Sequence, residues 1–143
     1  MDEQQNQRNI KEIYEAIDAA NLALSYLYKA EDLLRSASNW GLFDMFGGGL
    51  IASFVKHNKM SQARQHMEQA KWALDNFNKE VRDVNQSMSL GMETMDFMGM
   101  TDIFLDNFLI DWMVQGQINE NIQQVDQAIN MVLAMKNRLE SML

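Results

Sequence analysis

Cysteine and proline are both absent from this 143-residue chain. The first absence removes disulfides, thiolate metal sites and a cysteine nucleophile. The second removes the residue that most strongly breaks helix interiors and favours turns, so long helices with few turns are expected. Basic residues are also scarce over one long stretch: no Lys or Arg occurs from Asp83 to Met135. The whole chain carries 12 Lys and Arg against 20 Asp and Glu, a net charge of −8. That excludes general nucleic-acid binding, whose affinity comes mostly from a basic surface. No long hydrophobic run is present either. The most apolar stretch, Ile103 to Val114, contains Asp106 and Asp111 and is too short and too charged to cross a bilayer. The N-terminus is polar and acidic, without an apolar signal segment behind a basic start, so a cytoplasmic protein is expected.

What is present is a globular composition, 47% hydrophobic and 22% charged, at a length that suits a single domain over 1–143. Its apolar residues recur on an alternating three-four spacing in three segments. Ile10, Ile13, Ile17, Ala20, Leu24, Leu27 and Leu34 form the first stripe, broken at Glu31. Met60, Ala63, Met67, Ala70, Leu74, Phe77, Val81, Val84 and Met88 form an unbroken second. Ile118, Ile122, Val125, Ile129, Val132, Leu139 and Leu143 form the third, broken at Lys136. This is the heptad seam of helices crossing at a small angle. The fold class expected is therefore all-α. It is an antiparallel bundle of three long heptad-patterned helices at about 5–38, 59–88 and 102–141. Tyr14, Tyr28, Leu33, Trp72 and Ala73 flank the stripes and are expected to widen them, favouring an intramolecular bundle over an open rod. Glu31 and Lys136 are expected near each other or at a rim, because an unpaired buried charge is costly.

The two connections differ. The first, about Asn39 to Lys59, has helix stops at Asn39 and Gly41 and a break at Gly47, Gly48 and Gly49. A short extra helix at about 50–57 is expected inside it. The second, about Ser89 to Thr101, is rich in methionine, and Thr101 is a fair N-cap for the third helix. Gly116 marks a further break in that helix. Of the 13 methionines, most are expected as core filler. With helices running up, down and up, the basic residues Arg35, Lys56, Lys59, Arg64, Lys136 and Arg138 gather at one end. An acidic, Met-rich foot lies at the other.

Chemistry-bearing motifs are few. The triple glycine precedes a helical segment and is followed by Lys56, His57 and Lys59, so its backbone N–H groups could face an anion. No Gly-Lys-Ser/Thr follows, which excludes a Walker loop. Trp40, Phe43, Phe46 and Phe54 crowd the same cap as a plug, or as a membrane or protein wedge if the cap opens. Asp44 and His57 could pair, but no third ligand has a defined spacing. His66 is expected to be exposed. The Glu-x-x-His di-metal pattern is absent, as are Gly-x-Ser-x-Gly, His-Glu-x-x-His and EF-hand loops. Two candidate surfaces follow. One is the cap: Trp40, Asp44, Gly47, Gly48, Gly49, Lys56, His57 and Lys59. The other is the foot: Met92, Met95, Asp96, Met98, Asp102 and Asp106, suited to a basic amphipathic helix.

The segment from Ser36 to about Val84, a third of the chain, resembles an uncharacterised family of bacterial helical proteins with a shared cap. The residues that carry the resemblance are Asn39-Trp40-Gly41, Asp44, Gly47-Gly48-Gly49, Lys56-His57 and Lys59, followed by Ala63, Ala70 and Phe77. It implies a recurring cap and no particular activity. The functional expectation is a non-enzymatic protein-interaction or scaffold protein acting through the ends of the bundle, with an unknown protein partner, no cofactor and no metal. The alternative is a small anion or phosphate ligand at the glycine-rich cap, or peripheral membrane contact through the cap aromatics. A homo-oligomer is left open.

Overall fold

The computed structural model describes residues 3–45, 49–88 and 118–143, with side chains over 3–36, 61–88 and 122–143. Among the described residues the chain is all-helical, with three helices and no strand. Helix α1 runs Glu3–Met45, α2 runs Gly49–Met88 and α3 runs Ile118–Ser141. At 1.5 Å per residue, α1 is roughly 65 Å long.

The first connection departs from expectation. Asn39 and Gly41 do not stop α1, which continues to Met45. The segment 50–57 is not a separate short helix; it forms the opening turns of α2. Physical reasons are at hand for both. A single glycine costs a helix only about 1 kcal/mol relative to alanine, and the neighbouring Leu42, Phe43 and Met45 can continue it. No glycine or proline lies between Gly49 and Gly91, so nothing ends a helix begun at the triple glycine. In the third segment, α3 begins at Ile118, and the part expected over 102–117 lies outside the described residues.

One apolar cluster joins all three helices. Ile13, Ile17, Ala20, Leu24, Leu27 and Leu34 of α1 are buried, as are Ala63, Met67, Ala70, Leu74, Phe77, Val81 and Val84 of α2. Ile122, Val125, Ile129, Val132 and Leu139 complete it from α3. Helix α1 is central: it packs against both α2 and α3. Among the described residues those two make no close backbone approach to each other. A helix with two neighbours needs a broad apolar face, and α1 has one made of two overlapping stripes. Ile13, Ala20, Leu27 and Leu34 are common to both. Ile17 and Leu24 widen the face on one side, and fully buried Ala16, Ala23 and Ala30 widen it on the other. The alanines leave room for a helix backbone to come close.

The expected widening by aromatics is corrected. Tyr14, Tyr28 and Trp72 are 54%, 47% and 61% exposed, whereas Ala73 is buried and Leu33 partly so. Helical angle explains the difference. Trp72 stands two positions from both Ala70 and Leu74, turned about 160° from each, whereas Ala73 stands three from Ala70 and returns to within about 60°. Stripe positions at the chain's ends, Ile10 and Leu143, are also exposed.

Polar contacts fix relative position. Ser87 near the end of α2 donates to Asn9 Oδ1 near the start of α1, at 2.6 Å. Arg35 of α1 reaches Asp126 of α3, at 3.3 Å. The C-terminal turn of α3 closes with Met142 and Leu143 N–H groups donating to the Leu139 and Glu140 carbonyls. No described helix is long and apolar enough to cross a membrane.

Candidate interaction surface

The two candidate surfaces expected from sequence fall largely outside what is described. Trp40 and Asp44 lie on the last turns of α1; Gly49, Lys56, His57 and Lys59 lie on the first turns of α2. Their side chains are outside the described residues, as are those of Phe43 and Phe54, and Phe46, Gly47 and Gly48 lie wholly outside them. The foot residues Met92, Met95, Asp96, Met98, Asp102 and Asp106 lie wholly outside them.

A third surface comes from the middle of the bundle. An open groove of about 420 Å³ runs between α1 and α2, lined by Tyr26, Gln65, Glu68, Gln69 and Trp72. The four α2 residues stand at i, i+3, i+4 and i+7, so one helical stripe supplies them all. Tyr26 comes from the flank of the α1 core stripe and packs partly against the core. Its ring also carries a cation, with Lys29 Nζ 6.0 Å from the centroid. Glu68 pairs with Arg64 at 3.5 Å. His66 Nδ1 and Gln69 Oε1 lie 3.2 Å apart on the exposed side of α2. The result is two aromatic side chains in a rim of amides and charges of both signs.

Carboxylates cross the helix boundaries at two places. Between α1 and α2, ligand oxygens of Glu12, Glu15 and Glu80 lie within 4.8 Å of one another. Glu80 Oε2 is buried with no hydrogen-bond partner. Burial raises the Glu80 pKa first, and the negative charges of Glu15, Asp83 and Glu12 raise it further against a weaker pull from Lys79. Between α1 and α3, Glu31 meets Asp126. The side-chain hydrogen bond with Asp126 raises the Glu31 pKa most, burial adds to this, and Arg35 opposes it. Arg35 bridges both carboxylates, at 3.2 Å to Glu31 and 3.3 Å to Asp126. Lys136 pairs with Glu140 on its own helix at 3.8 Å. Glu31 and Lys136 thus both sit at a rim, each with a partner.

Buried amide oxygens without partners occur at Asn78, Asn85 and Gln124. Asn78 is only 6% exposed, although it lies off the second stripe, between Phe77 and Val81. Its signal was the seven-residue spacing from Lys71 to Asn78 to Asn85, a polar row beside the apolar one. No protein family, no curated protein and no solved structure matches the chain.

Proposed function

We propose that this chain is a non-enzymatic interaction or scaffold protein whose contact surface is the aromatic groove between α1 and α2. The observation that carries the reading is Trp72, left 61% exposed beside Tyr26 on a helix whose other face is fully packed. Large exposed aromatics ringed by polar groups have the make-up of binding hot spots. Placement along the helices differs from the expectation that contacts lie at the bundle ends. The scaffold we assign is an antiparallel bundle on heptad seams, and the Ser87–Asn9 contact together with the burial of the three-four stripes supports it.

A capture experiment tests the reading. Tagged chain and its Trp72→Ala variant are used as bait in extract from cells that express the protein. The reading expects at least one partner retained by the wild type and lost by the variant. Identical retention by both would sink it.

A further inference from the structure

The partner chemistry can be narrowed by charge. We infer that the α1–α2 groove is a self-association surface, where two copies of this chain meet about a two-fold axis, each covering the other's Trp72. The inference rests on the interaction reading above and names the partner.

Two observations point this way, and a third bears on strength. First, the apolar area is larger than the groove alone. Leu22, 40% exposed, stands four residues before Tyr26 and so shares its face of α1. Leu22, Tyr26 and Trp72 together make an apolar centre. A second copy would remove all three from water at once.

Second, the rim is balanced in sign on a chain that is not. Two chains of net charge −8 repel wherever acidic surface meets acidic surface. The groove is different: Lys29 stands over Tyr26, and Arg64 stands beside Glu68. A surface carrying both signs can be complementary to itself. In a two-fold contact each interaction occurs twice, so Arg64 facing the other copy's Glu68 entails Glu68 facing the other copy's Arg64. A strongly basic partner would instead be favoured by a uniformly acidic groove, which this is not.

Third, the strip is narrow. The stretch from Arg64 to Trp72 is roughly 12 Å of helix, a short strip of the kind that forms a small, transient contact. The association is therefore reversible, with monomer and dimer in exchange.

Sedimentation of the full chain up to roughly 0.5 mM tests this. Wild type should pass from monomer to dimer. Trp72→Ala should weaken the dimer about tenfold or more with an unchanged helical circular-dichroism spectrum, since Trp72 is outside the core. Arg64→Glu and Glu68→Arg should each weaken self-association, while an equimolar mixture of the two should recover a mixed dimer. A wild type that stays monomeric throughout overturns the inference. So does a Trp72→Ala dimer of equal strength, or a mixture no stronger than its components. If the wild type is monomeric but the capture experiment still depends on Trp72, only the second copy is wrong; if both fail, the interaction reading goes with it.

Discussion

The two boundaries of α1 meet the same electrostatic problem differently. Where α1 meets α3, Glu31 and Asp126 face each other, and Arg35 lies within 3.3 Å of both. Where α1 meets α2, Glu12, Glu15 and Glu80 converge, yet the nearby cations lie to the side: Lys11 pairs with Glu15 at 3.8 Å, and Lys79 acts on Glu80 only weakly. One boundary shares a guanidinium between its two carboxylates. At the other, burial and crowding raise the Glu80 pKa with only weak opposition from a cation. Both tolerate the cost because apolar burial beneath them supplies most of the stability.

That last point gives the largest expected effect. Phe77→Ala, in the core beneath the α1–α2 boundary, should cost about 3–5 kcal/mol, measured by urea unfolding. Trp72→Ala, on the same helix but exposed, should stay within about 0.5 kcal/mol. Equal losses would mean that the outer aromatics hold the fold, contrary to the burial pattern.

Next comes pH. Glu80 and Glu31 both have pKa values raised above the ordinary 4.5 in the folded chain. Between the ordinary value and the raised one, the folded state binds more protons than the unfolded state, so stability falls as pH rises. The contribution is fully present below the unfolded value and is lost as pH passes upward through the folded one. Melting temperature should therefore increase as pH is lowered through the raised values toward the ordinary 4.5. A melting temperature that falls steadily over that window would contradict the carboxylate placement.

Two substitutions separate the boundaries. Glu80→Gln removes the negative charge that burial and its neighbours disfavour; it should raise stability at neutral pH and flatten the pH dependence. Arg35→Met removes the cation that holds the Glu31 pKa down. It should lower stability at neutral pH by about 1 kcal/mol and steepen the same dependence. If both substitutions shift the pH curve in one direction, the boundaries do not differ as described. The smallest effect is expected at Lys136→Ala. Its partner Glu140 is on the same helix and half exposed, so thermal unfolding should change by less than about 0.5 kcal/mol.

Periodicity made the inner faces legible. From Ala63 to Val84, every second-stripe residue read from the sequence is buried, and the break at Glu31 marked a real boundary charge. Helix ends were less legible. Gly41 was read as a stop because glycine often ends helices, but its penalty is small beside that of breaking a helix that continues on both sides. Lateral position is less legible. Trp72 flanks the second stripe in sequence, yet two residues of rotation carry its side chain away from the buried face. That same rotation hid the groove. Tyr26 and Trp72 belong to different helices, and a single helical pattern cannot report which residues face each other across a gap.

Because α1 touches both neighbours while α2 and α3 have no close backbone approach to each other among the described residues, the three helices need not open together. An opening event that frees α3 leaves the α1–α2 contact intact. Amide hydrogens of α3 should then exchange through a partial opening of lower free energy than that protecting Leu27 and Phe77. The central helix makes the assembly a hub with separable arms, and staged amide exchange is the expected sign of it.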